Sequence, residues 1–303
     1  MNEFVAVSKA KELLKGLAFS PKTQLVSLAN SVGKFLASPV LAPMNVPSFD
    51  NSGMDGYAFA WEDLGESRKL AQVVQAGSNP DFTLEKGTAV RIFTGAPVPD
   101  GADTVVQQEW VTVVGDTVFF ELEKLVKGMN VRKAGSQCQE GELILNSGTQ
   151  VTPGTIGLLA SLGIEQVEVF RSPNVSIILT GDEIIEIGQA LQPGQIYNAN
   201  GPALIAYLSQ MGITEVKVLK VKDEKSEVTR VIGEALEASD VVLLTGGISV
   251  GDYDFVKESL AENGVEQLFY KVKQKPGKPI FAGVKGEKMV FALPGNPASV
   301  LTC

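Results

Sequence analysis

The chain has 303 residues, is 44% hydrophobic and 20% charged, and carries a formal net charge of −9 with no histidine. That length predicts two or three domains, and the acidic field opposes nucleic acid and anionic membrane surfaces, so an anionic ligand needs a local positive site. The missing histidine excludes Ser-His-Asp triads, Cys-His pairs and histidine-ligated zinc. Chemistry is left to carboxylates, hydroxyls, lysines, backbone N–H groups and a hard, oxygen-ligated cation such as Mg²⁺. The two cysteines, Cys138 and Cys303, make neither a disulfide framework nor a Cys-rich zinc site. The opening "MNEFVAVSKAKELLKG" is broken by charges and has no signal-peptide core, and no apolar run reaches membrane-span length, so a cytoplasmic protein is expected.

In chain order, Ala10, Leu13, Leu14 and Leu17 follow helical spacing, as do Leu25, Leu28, Ala29, Val32 and Leu36. Two amphipathic helices are therefore expected first. Pro39, Pro43 and Pro47 then mark an extended connector. Between residues 48 and 132, short stretches such as "TAVRIFTG" and "TVFFELE" alternate with Gly and Asp-Gly turns, which predicts a small all-β barrel or sandwich. "VTPGTIGLLASLG" reads as a helix with Thr152 at its N-cap, Pro153 at N1 and Gly163 just past its end, and a strand follows in "EQVEVF".

From residue 171 strands and helices alternate. "NVSIILT", "EVKVLKV", "DVVLLT" and "KMVFALPGNP" carry the strands. "NGPALIAYLSQMG", closed by Gly212, and "DFVKESLAENG" are helical, as is "EKSEVTRVIGEALEAS" with Val228, Val231, Ile232, Ala235 and Leu236 on one face. This order predicts a doubly wound α/β domain. The expected layout is a discontinuous helical and linker domain (1–47 with 133–170), a small β domain (48–132) and an α/β domain (171–303).

Several loops stand out. "VVLLTGGISVGDYD" (241–254) places Thr245 at a strand end, followed by Gly246, Gly247, Ser249, Gly251, Asp252 and Asp254. Ligands of open α/β sheets bind at that edge. Glycine backbone N–H groups suit a phosphate there, with Asp252 or Asp254 holding a cation beside it. A plain turn with a capping aspartate accounts for the segment about equally well. "LTGDEI" (179–184) and "LPGNPAS" (293–299) are two more strand ends, readable also as a solvated turn and as ordinary capping by Asn296 ahead of Pro297. "KQKPGKP" (273–279) frames Lys275 and Lys278 rigidly with prolines and Gly277; a solvated lysine run does not explain that frame. Together these loops form a ligand-site pattern. The chain has neither G-x-G-x-x-G nor the Walker pattern. In the β region, "VPSFDNSGMDGYAF" (46–59) reads as a tight turn among aromatics or as a site, and "RIFTGAPVPDGADTVV" (91–106) as a proline-stiffened edge loop or as a site.

Seven segments occur in order: "FDNSGMDGYA", "RIFTGAPVPDGAD", "TGDE", "GQIYNAN", "TGGISVGDYDF", "KPGKP" and "LPGNPAS". From about Leu36 to its end the chain resembles the molybdopterin molybdenumtransferases, the MoeA/gephyrin family. The resemblance implies that the α/β domain binds molybdopterin. It implies Mg²⁺-assisted cleavage of adenylated molybdopterin, insertion of molybdenum from molybdate into the dithiolene, and release of AMP. It also implies a homodimer with clefts shared between subunits, and a molybdopterin adenylyltransferase as a further partner. Carried over by motif, Asp55, Thr94, Glu183, Asp223 and Asp254 are the implied catalytic positions, with Asp254 and Glu183 as metal ligands. Thr245, Gly246, Gly247, Ser249, Gly251, Asp252, Lys275, Gly277, Lys278, Pro294, Gly295, Asn296 and Pro297 are the implied substrate contacts. Gln137 in "RKAGSQ" stands where the family has an acid. The chain stops at Cys303, where family members continue into a C-terminal β domain, so a truncated member is expected. A non-catalytic scaffold on the same fold is the alternative, and the presence of Asp55, Glu183 and Asp254 favours the enzyme.

Overall fold

A computed structural model describes residues 3–65, 67–248 and 255–303. The chain forms two compact units, one from Met1–Gln24 with Val169–Cys303 and the other from Leu25–Glu168.

The first unit is built on a seven-stranded sheet. Its order is Glu3–Val5, Glu266–Val272, Phe281–Lys285, Lys288–Leu293, Val241–Thr245, Val175–Thr180 and Val216–Val221. All neighbours pair in parallel except Phe281–Lys285, which is antiparallel to both of its neighbours. Val175–Thr180 is buried at every residue, as a strand covered on both faces must be. Its side chains alternate. Ile178 joins the apolar layer under the helices Lys225–Ala238 and Val256–Glu262. Ile177 and Leu179 join Leu204 and Leu208 of Asn200–Gln210, Ala10 of Val7–Lys15 and Val300 of Pro297–Thr302 on the other face. The five apolar residues expected on the core face of Lys225–Ala238 are its five buried residues, the four larger ones contributing about 1.5–3 kcal/mol of transfer energy each and Ala235 less.

The expected grouping of residues 1–47 with 133–170 differs from this division. The Glu3–Val5 strand pairs with Glu266–Val272, and Val7–Lys15 lies on the sheet beside it, so residues 3–15 are built into the α/β unit. The antiparallel Phe281–Lys285 strand was also not foreseen. It forms a hairpin with Lys288–Leu293 through Gly286, whose φ of +59° suits glycine.

In the second unit a six-stranded sheet runs Thr104–Gln107, Gly56–Phe59, Thr88–Ile92, Ser67–Val74, Thr117–Phe120 and Val111–Val114. Two apolar layers pack on it, one around Phe59 and Val118, the other around Ala58 and Ile92. This order leaves Thr104–Gln107 and Val111–Val114 as the two ends of an open sheet, where a barrel or sandwich was expected. Pairing of 35–46 with 138–150 forms the rest, through Val40–Leu41 with Leu143–Leu145 and the bridges Phe35 to Gln150 and Val46 to Cys138.

The helix expected over Leu25–Leu36 is replaced by a strand, Thr23–Ser27, and one 3₁₀ turn, Leu28–Asn30. The backbone finds distant partners instead of helical ones. Leu28 N donates to Glu165 O (3.0 Å), Gly33 N to Val151 O (2.9 Å) and Leu36 N to Thr149 O (2.9 Å), and Gly33 has φ +78°. Leu25 and Val32, expected on a core face, are exposed, while Leu36 is buried. The Pro153–Ser161 helix forms as its caps require. Thr152 Oγ1 accepts from Thr155 N, Pro153 is at N1, and Gly163 follows with φ +73°. No helix among the described residues is long and apolar enough to cross a membrane.

Candidate functional site

The α/β unit reverses direction at one point. From Val175–Thr180 the chain passes through Asn200–Gln210 to Val216–Val221 on one side, then through Lys225–Ala238 to Val241–Thr245 on the other. Open α/β sheets bind ligands at the C-terminal strand ends beside such a switch. The registers put the ends of three neighbouring strands level there, Leu179 beside Thr245 and Thr245 beside Leu293.

A cleft of about 340 Å³ opens at this edge. Thr180, Thr245 and Gly246 form its base, Gly295, Asn296 and Pro297 one wall, and Glu183 with Ile184 another. Ile196, Tyr197, Asn198, Ala199 and Asn200 complete it. The backbone is held tightly here. Gly246 N donates to Leu293 O (3.2 Å) and Thr180 Oγ1 to Thr245 O (3.2 Å). Gly246 has φ +88°, and a methyl group on it would lie 2.7 Å from Thr180 Oγ1. Asn198 Oδ1 accepts from Gly201 N (2.9 Å) at the start of the Asn200–Gln210 helix, and Asn200 Nδ2 donates to Gly295 O (2.8 Å).

Two polar atoms of the cleft residues are left over. Thr245 is 1% exposed and Asn200 7%, yet Thr245 Oγ1 and Asn200 Oδ1 have no partner among the described residues. A buried polar group without a partner costs about 1–3 kcal/mol. Both belong to residues that line the cleft, one a hydroxyl and the other an amide oxygen.

Of the residues singled out by sequence, Glu183, Thr245, Gly246, Gly295, Asn296 and Pro297 meet in this cleft. Asn296 also caps the last helix, accepting from Ala298 N (3.0 Å) and Ser299 N (3.4 Å), as the capping reading expected. Gly247 and Pro294 adjoin the cleft in sequence. Asp223 follows the neighbouring Val216–Val221 strand and is not among the lining residues. Lys275, Gly277 and Lys278 lie elsewhere in the unit. Lys278 Nζ sits 5.0 Å from the centre of the Phe4 ring, Gly277 O accepts from Cys303 Sγ (3.3 Å), and Lys275 is exposed. Ser249, Gly251, Asp252 and Asp254 fall outside the described residues. Thr180 lay within a segment singled out by sequence, but Asn198, Asn200 and Tyr197 were not assigned individually. Their signal was the "GQIYNAN" segment, one of the seven that carry the family resemblance, from which no single residue was taken as a site. Lys220, also missed, donates from Nζ to the Ile184 carbonyl beside the cleft.

The second unit brings together another pair. Asp55 Oδ1 accepts from both Thr94 N (2.8 Å) and Thr94 Oγ1 (2.7 Å), across 39 positions of sequence. These bonds, the backbone one first, hold the Asp55 carboxyl below the usual aspartate range, with a smaller contribution from the Arg91 charge. Arg91 opens a segment singled out by sequence but was given no role of its own, and Gln108 was missed. The Arg91 guanidinium lies 5.0 Å from the Tyr57 ring centre and 4.9 Å from that of Phe93. It donates to Gly56 O (3.1 Å) and Gln108 Oε1 (2.6 Å), while Gln108 N donates to Asp55 O (3.0 Å). Gln137 is exposed, and its backbone N donates to Val46 O (2.9 Å). No group of three or more Asp, Glu, Cys or His side chains is placed to hold a metal among the described residues.

Two family models match the chain. Residues 5–163 match the MoeA N-terminal region (domain I and II), and residues 176–303 match a probable molybdopterin binding domain. A molybdopterin molybdenumtransferase of Haemophilus influenzae is 37% identical over 294 residues, covering 96% of this chain and 72% of the relative. The enzyme of that name from a Nostoc species is 39% identical over 289 residues, covering 92% and 66%. The crystal structure of a molybdopterin biosynthesis MoeA protein from Pyrococcus horikosii superposes with a TM-score of 0.85 at 34% identity, covering 99% of this chain and 76% of that one. The chain thus spans about two thirds of the length of the curated relatives it matches.

Proposed function

This chain belongs to the molybdopterin molybdenumtransferase family, and we propose that it binds adenylated molybdopterin in the strand-end cleft, inserts molybdenum from molybdate into the dithiolene and releases AMP. The observation that carries this reading is the pair of unpartnered polar atoms in the cleft, Thr245 Oγ1 and Asn200 Oδ1. The polar edge of a pterin supplies the donors and acceptors they lack.

Cleaving a phosphoanhydride needs positioning and charge neutralisation more than a nucleophilic side chain. The Thr245–Gly247 turn and the segment through Ser249, Gly251 and Asp252 would cradle phosphate with backbone N–H groups. Lys275, Gly277 and Lys278 would approach from their own loop, and Pro294 would set the course of the Gly295–Pro297 wall. Mg²⁺ often binds through only one or two carboxylates plus substrate phosphates, and Glu183 in the cleft suits that donor set, with Asp254 as the second carboxylate. Bound there, Mg²⁺ would neutralise phosphate charge. Asp55, kept ionised by Thr94, makes a weak general base at neutral pH. We therefore give it the role of a fixed acceptor and charge, with Asp223 as a further acid. We also propose that the protein works as a homodimer in the cytoplasm and receives its substrate from a molybdopterin adenylyltransferase.

The test is incubation of the protein with adenylated molybdopterin, molybdate and Mg²⁺, with AMP followed by chromatography. AMP release, reduced at least tenfold by Asp55→Ala, is expected. Tight pterin binding with no AMP release would remove the transferase and leave a binding protein.

A further inference from the structure

At the opposite end of the same sheet, where Val241–Thr245 and Lys288–Leu293 begin, lies a second and larger cleft of about 580 Å³. Phe19, Pro21, Pro173, Val241 and Met289 give it apolar walls. Lys22, Arg171, Lys285 and Lys288 bring four cations to it, against the carboxylates of Asp240 and Glu287. Two positive charges are in excess, in a chain whose net charge is −9.

Asp240 is already engaged. It accepts from Arg171 Nη2 (2.7 Å) and Asn174 N (2.9 Å), and Lys22 Nζ lies 3.5 Å away. The other cations are less well served. Lys285 and Lys288 stand directly opposite each other in the last pair of their hairpin, where like charges repel. Among the described residues the ion pairs at this cleft are those of Lys22 and Arg171 with Asp240, neither Lys285 nor Lys288 has a carboxylate within ion-pair distance, and Lys288 Nζ donates to the carbonyl of Ser239 (2.9 Å). The Arg171 Nε–H is buried without an acceptor among the described residues. A dianion placed between the lysines relieves the repulsion. Phe19, 39% exposed, offers a flat apolar surface next to it.

We propose that this cleft binds a small phosphate monoester carrying a flat apolar group, with the phosphate between Lys285 and Lys288 and the ring against Phe19 and Met289. A carboxylate would supply one charge where two are in excess. The site is independent of the strand-end cleft, from which the length of the strands separates it.

The probe is phenyl phosphate, with inorganic phosphate and phenol as its two halves. Trp61 and Trp110 both belong to the other unit, so a Phe19→Trp variant adds a local fluorescence reporter, and calorimetry on the unaltered chain checks it. Saturable phenyl phosphate binding is expected, weakening as salt rises. It should be about tenfold weaker in Lys285→Met with Lys288→Met, and at least tenfold stronger than binding of either half. The single Lys285→Met variant should fall between. Circular dichroism verifies folding of each variant. Absence of saturable binding, undiminished binding in the folded double variant, or equal binding of phenol or of inorganic phosphate each overturns the proposal.

Discussion

Replacing Gly246 by alanine tests whether the strand-end turn is built by close backbone approach. Gly246 has φ +88°, and its new methyl group would lie 2.7 Å from Thr180 Oγ1 and 2.9 Å from Thr180 O. The left-handed backbone costs a non-glycine residue about 1–2 kcal/mol. Overpacking against atoms that cannot move freely adds about 1–3 kcal/mol. The expected loss is therefore about 2–5 kcal/mol, a large share of a typical domain's 5–15 kcal/mol. Gly295 provides the control, because its added methyl group would meet nothing closer than Gly246 Cα at 3.8 Å and its φ is not positive. Gly295→Ala should cost less than about 1 kcal/mol. Urea unfolding should be followed by far-UV circular dichroism, since most of the helices belong to the α/β unit while both tryptophans lie in the other. Adding Thr180→Ala removes the hydroxyl but leaves the carbonyl and the backbone strain, so it should recover only part of the loss. If Gly246→Ala is no more harmful than Gly295→Ala, the close-approach account of the turn is wrong.

Three further outcomes are expected. Thr94→Val removes one of the two hydrogen bonds to Asp55 and should move its carboxyl pKa up toward the ordinary 3.8, read by NMR titration; an unmoved titration would show that the backbone bond alone sets it. Because the folded pKa is depressed, Asp55 favours the folded state above the unfolded value and loses that contribution as pH falls through the folded value, so Thr94→Val should lower stability above about pH 4 and make its decline below that pH shallower. Thr245→Val should leave urea stability unchanged or raise it by up to about 1 kcal/mol, because the hydroxyl has no partner among the described residues, yet it should weaken pterin binding; a clear loss of stability would mean that the hydroxyl is engaged in the free protein. Arg91→Met keeps the stem between Tyr57 and Phe93 but drops the bonds to Gly56 and Gln108, and should cost about 1–2 kcal/mol with faster amide exchange at Gln108; Arg91→Lys should not restore it, since one ammonium lacks the planar fork.

Elements were legible in the sequence where local pattern and tertiary partner agreed. Val228, Val231, Ile232, Ala235 and Leu236 repeat at helical spacing and all are buried. Leu25, Leu28, Ala29, Val32 and Leu36 repeat in the same way, but Glu165, Val151 and Thr149 supply their stretch with backbone partners from more than a hundred residues away. Apolar spacing carries no information about such partners. The site divides along the same line. Glycines and strand ends pointed to Thr245 and Gly246 because ligand approach imposes backbone conformations that only a few residue types adopt. Motif resemblance named Asp55 and Thr94 separately, and nothing in the spacing of those residues predicts the bond between them. Arg91 stood at the head of a segment singled out by sequence, but its contacts follow only from the register that sets it opposite Tyr57.

On the two proposals made above, the ends of the α/β sheet would recognise charge by different means, which would reconcile an acidic chain with anionic ligands. At the C-terminal end no lysine or arginine is among the described residues that line the cleft, which offers hydroxyls, side-chain amides and backbone N–H groups beside the Glu183 carboxylate. Oriented dipoles of this kind stabilise an anion without altering net charge. At the N-terminal end four cations surround a mainly apolar wall, and one of the two carboxylates, Asp240, is shared between Arg171 and Lys22. Screening confines the influence of exposed charges to about 8–10 Å at ordinary ionic strength, so surplus carboxylates elsewhere on the surface weaken neither arrangement much. Raising salt should therefore weaken phenyl phosphate binding at the lysine pair more steeply than binding of an uncharged pterin at the strand ends, because the first depends on exposed full charges and the second on hydrogen bonds; adenylated molybdopterin, whose proposed site sets its phosphates beside Mg²⁺, Lys275 and Lys278, should share the salt dependence.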